Sequence, residues 1–310
     1  MKKIKLSFIG AGFQSQIAHI VNFHKDKRVE LFDIADFDTE LASDVKKSFG
    51  FSGLITNSVD ELISRKPDAV VIVVQRPLVA NIIKKCLKAQ INVLSEKPHV
   101  FSLEEHNECE KLQKKKIWMK GYNRRWALAA IELNKNYKKY SKKYGKLVAV
   151  EMFCDSGNSW LGNKHHNDPK LKKKLFLGKK NKYPKWIKSS NRFLYEDYWN
   201  GASHFMDLLE FFEFKNIKNF KSHVNTKIFR SMFEATKLSD KCLVSVTMSK
   251  FKHNDWNEFV TFVYENAKVT LRYNSPMQKG GSCDLEILDS LKLQKTVKSY
   301  KNNWHYELQN

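Results

Sequence analysis

Ile4-Lys5-Leu6-Ser7-Phe8-Ile9-Gly10-Ala11-Gly12-Phe13-Gln14-Ser15 decides how this chain is read. A short apolar run comes first, then two glycines one residue apart, then a helical pattern from about Phe13 to His24. Strand, glycine turn and helix in that order open a β-α-β unit. Its turn permits close backbone approach to a pyrophosphate seated on the helix N-terminus. Ser15 stands where a third glycine is usual, and it is small enough for helix–strand packing. Gly10, Gly12, Phe13 and Gln14 are therefore candidate dinucleotide contacts. Asp36 closes the next strand, Val29–Ala35. A carboxylate there accepts hydrogen bonds from the adenosine ribose and repels a 2′-phosphate, which favours NAD over NADP.

The alternation continues outward from that unit. A helix is expected over Asp38–Phe49, and Ser58-x-x-Glu61 reads as a capping box opening another at Val59–Arg65. Ala69–Val74 is a continuous run rich in β-branched residues, as a strand covered on both faces requires. Pro77 can open a helix running to about Ala89, Ile91–Ser95 is a strand, Ser102-x-x-Glu105 caps a helix, and Ile117–Lys120 is again a strand. Alternating strands and helices give a doubly wound parallel sheet. The pattern changes after a polar helix at about Arg125–Lys143. Leu147–Cys154 alternates, Ala202–Phe214 reads as a helix, and period two dominates from Ile217 to Tyr300. The expected fold is thus α/β: residues 1–121 form a dinucleotide-binding domain, 122–145 a connecting helix, and 146–310 an α+β substrate and oligomerisation domain with an open, mainly antiparallel sheet.

Composition narrows the function classes. No apolar run approaches the ~18 residues of a membrane span. The apolar stretch after Lys5 breaks at Gly10, too early for a signal peptide. Five cysteines, widely spaced and with no C-x-x-C, argue against a disulfide framework or zinc ribbon and fit a reducing, cytoplasmic setting. Net charge is +22, from 55 Lys+Arg against 33 Asp+Glu, yet only eight of the cations are arginine. Sequence-reading proteins favour Arg for bidentate base contacts, so nucleic acid is disfavoured as a partner and polyanion binding is the weaker reading.

The more specific signal is Glu96-Lys97-Pro98 at the end of a parallel strand. Ligands of open α/β sheets bind at the carboxyl ends of the strands. An ammonium held there can exchange a proton with a substrate hydroxyl or carbonyl. With these residues the chain resembles the glucose–fructose oxidoreductase, inositol dehydrogenase and rhizopine-catabolism family (Gfo/Idh/MocA). The resemblance rests on Gly10-Ala11-Gly12, Asp36, Val70–Val74, Val93–Pro98, Gly121-Tyr122-Asn123-Arg124-Arg125 and Ser203-His204-Phe205-Met206-Asp207.

The resemblance implies a Rossmann domain and NAD(P)-linked hydride transfer on a sugar, cyclitol, sugar acid or nucleotide-sugar. It assigns Lys97 as a catalytic residue, with His204 as acid/base or orienting group. It places Val74 and Glu96 beside the cofactor, and Asn123, Arg125, Asn200 and Asp207 about the substrate. It also implies a homo-oligomer. The chain departs from the family pattern in four places. Asn200 stands for the usual Asp, Ala202 for a Gly, Val74-Gln75 for Thr-Pro, and Val79 for a frequent His. A dinucleotide-binding sensor or scaffold of the same fold, without turnover, is the alternative.

Other features carry less. His165-His166 has no carboxylate or cysteine at ligand spacing, and His204 with Asp207 lacks a third ligand, so no metal is expected. Trp126, Trp160, Trp186 and Trp199 suit core or interface better than sugar stacking. Lys164–Arg192 holds ten lysines and one acid, Asp168. It reads as a solvated loop or as a clamp for a phosphorylated or nucleotide-linked substrate.

Overall fold

The computed structural model describes residues 2–156, 187–225, 228–249, 256–275 and 282–300, with only the backbone at 193, 194 and 196–200. The basic stretch up to 186, including His165, His166, Trp160 and Trp186, lies outside the described residues, as do the side chains of Trp199 and Asn200. The chain divides into two compact units, one reaching Gly121 and one starting at Tyr122.

The first unit is built on six strands: β1 (Ile4–Ile9), β2 (Val29–Ala35), β3 (Ile55–Thr56), β4 (Ala69–Ile72), β5 (Asn92–Glu96) and β6 (Trp118–Gly121). All pair in parallel, in the order β3-β2-β1-β4-β5-β6. The connections therefore diverge between β1 and β4, and a crevice opens at that switch point beyond the strands' carboxyl ends. Helix α1 begins as a π-helix, Ser15–Ile20, and ends as an α-turn, Val21–Phe23. It is followed by α2 (Thr39–Phe49), α3 (Val59–Ser64), α4 (Arg76–Lys88) and α5 (Leu103–Gln113). Each start is chemically explained. Asp38, Ser58 and Ser102 accept from the backbone N–H three residues on, and Pro77 opens α4. Gly50 closes α2 with a left-handed φ of 70°. Val70, Val71 and Ile72 are fully buried because helices cover both faces of β4.

The second unit has eight strands. They are β7 (Leu147–Asp155), β8 (Lys215–Val224), β9 (Ile228–Lys237), β10 (Asp240–Ser249), β11 (Asn257–Tyr264), β12 (Ala267–Tyr273), β13 (Cys283–Asp289) and β14 (Gln294–Tyr300). Their order is β14-β13-β12-β11-β7-β10-β9-β8. Every pair is antiparallel except β7 with β10. A parallel pair needs a crossover connection, and the long excursion through helix α7 (Arg192–Phe211), β8 and β9 supplies it. Helix α6 (Leu128–Tyr144) and α7 pack one face of the sheet. Leu133, Tyr137, Tyr140 and Tyr144 of α6, and Phe205, Leu208 and Leu209 of α7, join one buried cluster with β7, β10, β11 and β12. The i, i+3, i+4 spacing in α7 is the apolar stripe of a helix lying on a sheet.

The period-two region expected from Ile217 covers β8 and β9 without separating them, because β8 is an exposed edge carrying Lys215, Lys218 and Lys221. Lysines on an edge strand discourage pairing with another chain and erase the apolar alternation. Helix α7 starts at Arg192 rather than at Ala202.

All five cysteines are buried and reduced. Burial pushes the Cys86 thiol up to about 12 and those of Cys109 and Cys242 up to about 11; Cys154 and Cys283 are raised well above the usual range. The thiolate is the reactive form. The native protein is therefore expected to be inert to Ellman's reagent at neutral pH, with all five thiols reporting only after denaturant is added. Prompt release of even one equivalent from the native protein would contradict this packing.

Candidate active site

In the first unit the glycine turn is fixed by its surroundings. Gly10 has a φ of +103°, and a Cβ built there would lie 2.0 Å from the Val73 carbonyl oxygen. Only glycine fits. A Cβ on Gly12 would meet nothing within 4 Å among the described residues, which leave room on that side for a ligand phosphate. Asp36 ties the turn to the end of β2: Oδ2 accepts the Ala11 N–H at 2.6 Å and Oδ1 accepts the Asp38 N–H at 2.9 Å. A carboxylate has about four lone-pair sites, so both oxygens can still accept from ribose hydroxyls. Gln16 donates its side-chain amide to the Ala11 carbonyl at 2.8 Å. Phe13 and Gln14 are half-buried at the start of α1, and Val74 is half-buried just beyond β4. The Ser15 hydroxyl is buried with no hydrogen-bond partner among the described residues. An open loop, an orphaned buried hydroxyl and a strand-end carboxylate fit a dinucleotide.

Lys97 follows directly on the carboxyl end of β5, half-buried, and its bond to Pro98 is cis. Glu96, by contrast, turns inward. Oε1 lies 2.8 Å from His19 Nε2, and Oε2 accepts the Lys97 backbone N–H at 3.1 Å. Burial raises the Glu96 carboxyl, but the His19 hydrogen bond and charge, with the charge of Lys97, outweigh it and hold the group below its ordinary value. Behind the loop, Trp118 donates Nε1–H to Ser95 Oγ at 3.0 Å, and the His99 ring meets Trp118 edge-on with centroids 6.0 Å apart. Burial, reinforced by the Lys120 charge, lowers His99 to about 3, so this ring is neutral.

In the second unit Tyr122–Arg125, the rest of the motif that begins at Gly121, and helix α7 converge. Arg124 is buried and grips Glu258 of β11 through two hydrogen bonds, Nε to Oε1 and Nη2 to Oε2, each 3.0 Å. Its Nη1 donates to Asn123 Oδ1 at 2.9 Å and faces His204 Nε2 at 3.4 Å. A guanidinium has no acceptor, so in this pairing His204 Nε2 is the acceptor and the proton of the neutral ring sits on Nδ1. Tyr122 meets the His204 ring edge-on, centroids 5.8 Å apart. Burial, with the charge of Asp207, pushes the Tyr122 hydroxyl up to about 12. Trp256 donates Nε1–H to Glu258 Oε2 at 3.2 Å.

Arg125 and Asp207 are partners of each other. Arg125 Nε donates to Asp207 Oδ2 at 2.9 Å, and Nη2 donates to Oδ1. The Asp207 side chain is 3% exposed and that of Arg125 28%, so the carboxylate is the sunken member of the pair. Arg124 and Glu258 were missed as site residues. The available signal was Glu258 itself: in β11 it shares the inward register of Val260, Phe262 and Tyr264, and a carboxylate on an apolar stripe demands a partner.

Residues 4–119 match the oxidoreductase family with an NAD-binding Rossmann fold, Gfo/Idh/MocA. No curated protein matches the sequence. Solved structures share the fold over most of the chain. A dehydrogenase of Clostridium difficile is 16% identical, with 99% of this chain and 86% of that one covered and a TM-score of 0.68. A 3-ketoreductase of Actinomadura kijaniata, solved with NADP and TDP-benzene, is 11% identical, with coverage of 99% and 87% and a TM-score of 0.72. A myo-inositol 2-dehydrogenase of Lactobacillus plantarum is 16% identical, with coverage of 87% and 76% and a TM-score of 0.65. The glycine turn, the strand order and the matched residues together identify residues 4–119 as an NAD-binding Rossmann domain of the Gfo/Idh/MocA oxidoreductase type.

Proposed function

We propose that the protein is an NAD-preferring dehydrogenase or reductase acting on a hydroxyl or keto carbon of a sugar, cyclitol or nucleotide-sugar. The observation that carries this reading is Lys97, standing one residue beyond β5 and beside the switch point of a sheet whose glycine turn fits a dinucleotide. Gly10, Gly12, Phe13, Gln14, Ser15 and Val74 would hold the cofactor, with Asp36 on the adenosine ribose. Bound, the nicotinamide supplies the hydride acceptor or donor. Lys97 takes the hydroxyl proton on oxidation and returns it on reduction. His204, with its proton on Nδ1, donates a hydrogen bond that orients a substrate oxygen. Asn123 and Arg125 line the same unit as His204, and Asn200 sits one turn earlier on α7.

The cofactor preference has a local cause. Asp36-Phe37-Asp38 offers a carboxylate and an exposed ring, and no arginine to pair with a 2′-phosphate. NAD is expected to bind more tightly than NADP, and Asp36→Ser to narrow or reverse the ratio, as isothermal titration with each cofactor would read. Equal affinities in the wild type would remove the preference. The activity itself is tested by screening sugars, cyclitols and nucleotide-sugars with NAD and NADP, following absorbance of reduced nicotinamide. Tight cofactor binding with no turnover across the panel would support a sensor or scaffold instead.

A further inference from the structure

Strand β8 begins Lys215-Asn216-Ile217-Lys218-Asn219-Phe220-Lys221, a period of three in an element whose side chains alternate with period two. In a regular strand, successive lysines of this run would point to opposite faces. Two bulges remove the mismatch. Lys215 pairs with Thr236 of β9, Lys218 with Glu234 and Lys221 with Met232, so three residues of β8 match two of β9 at each step. Asn216 and Asn219 absorb the extra length with left-handed φ of 53° and 55°, a backbone that asparagine tolerates better than most residues. Directly opposed residues share a face. Thr236, Glu234 and Met232 lie opposite to the buried Ala235 and Phe233, on the face that α6 and α7 do not pack. The three lysines therefore form one exposed row on that face, about 6.8 Å apart. His223, paired with Arg230, extends it.

The charge of this row is unanswered. On β8, β9 and β10 the face carries Lys215, Lys218, Lys221, Arg230 and Lys241 against one acid, Glu234, and none of the five cations forms an ion pair with a described residue. Glu234 itself accepts from Asn219 Nδ2 at 2.9 Å. The rest of the face differs. Glu151, Asp155, Asp284 and Glu286 stand there against Lys268, Arg272 and Lys295, and Glu286 holds Arg272 at 3.1 Å and Lys295 at 3.3 Å. The positive block is thus local to the β8 end of the sheet.

We propose that the β8 lysine row docks an extended acidic segment of a partner protein, with a carboxylate at every second residue. An extended chain repeats a side chain on one face every ~6.8 Å, which is the spacing of the row. A stacked nucleic-acid strand brings a phosphate every ~3.4 Å and would leave half of them unmatched. Its bases would also call for an aromatic platform, whereas Phe220 is turned to the other face and stacks on Phe233 with centroids 5.3 Å apart. Side chains make the contact, because the two bulges interrupt the edge with which an added strand would have to pair.

Fluorescence anisotropy with the full-length protein tests this, using two labelled peptides of equal composition. One alternates Glu with Ser, and the other carries its Glu residues in one block. At low salt the alternating peptide is expected to bind more tightly than the blocked one, and its affinity to fall as ionic strength rises. Lys215→Gln, Lys218→Gln and Lys221→Gln combined should weaken it about tenfold and bring the two peptides level. All three side chains are exposed, so the variant asks nothing of the core. Lys135→Gln, Lys138→Gln and Lys139→Gln combined, on the exposed side of α6, should leave the affinity unchanged. Equal binding of the two peptides by the wild type, or an unmoved affinity in the β8 variant, overturns the proposal. An oligothymidine that binds more tightly than the alternating peptide, and is lost in the β8 variant, would assign the row to nucleic acid and overturn it too. A wild-type dimer in sedimentation velocity that the β8 variant dissociates would do the same, the occupant then being a second copy of this chain.

Discussion

Lys97→Met is expected to lower turnover about 10²–10⁴-fold, the range that a positioned acid or base contributes, while the NAD dissociation constant stays within a few-fold of wild type. The separation follows from where the contacts lie. The elements fitted to a dinucleotide are the Gly10–Gly12 turn, the Ser15 hydroxyl and Asp36, all at the ends of β1 and β2. Lys97 lies past β5, two strands from β1 in the sheet, and replacing its side chain leaves those elements untouched. Methionine keeps the length and apolar stem of lysine and removes only the ammonium, so the loop is not asked to repack. Loss expressed in kcat and kcat/KM equally would mark an interaction made in the transition state alone. A rise in KM with kcat preserved would make Lys97 a binding group. Unchanged turnover would remove it from the chemistry altogether.

The residues that made the first unit legible are those whose chemistry leaves one solution. Gly10 has no room for a side chain, Asp36 has two backbone N–H groups to accept, and Val70–Ile72 must be covered on both faces. Such constraints are local, and they show in the sequence as a motif or an uninterrupted run. Strand β3, two residues long, leaves no period to detect, and β8 hides behind edge lysines. The site was legible in part. Lys97 and His204 stand out by residue type and motif, but their settings depend on partners remote in sequence. Glu96 meets His19 across 77 residues, Arg124 meets Glu258 across 134, and Arg125 meets Asp207 across 82. No spacing rule couples positions so far apart. Arg125 and Asp207, each expected to face a substrate, lie first against one another. A substrate contact by either therefore has to be made with the groups left over, such as the Arg125 Nη1 that no contact above engages.

Glu258→Ala is expected to cost about 3–5 kcal/mol of stability, because it strands the Arg124 guanidinium in the interior without a counter-charge. Arg124 and Glu258 side chains are 6% and 2% exposed, and two hydrogen bonds of 3.0 Å join them. Water cannot readily replace the carboxylate there. For a unit of this size the loss corresponds to a fall in Tm on the order of 10 °C. Thermal denaturation of Glu258→Ala, Arg124→Leu and the double variant closes the cycle. The double variant should be more stable than Glu258→Ala alone, since no unpaired charge remains buried, though Trp256 Nε1–H and Asn123 Oδ1 still lose a partner. The same change reaches His204. Freed from Glu258, Arg124 no longer has to present Nη1 to His204 Nε2, and the ring proton is no longer confined to Nδ1. Nitrogen-15 shifts of the His204 ring should show the Nδ1–H tautomer in the wild type and a mixture in Glu258→Gln, the milder variant. A wild-type ring already mixed between tautomers would mean that Arg124 does not set it, and a Tm unchanged in Glu258→Ala would mean that the pair does not hold β11 to the Arg124–Trp126 segment.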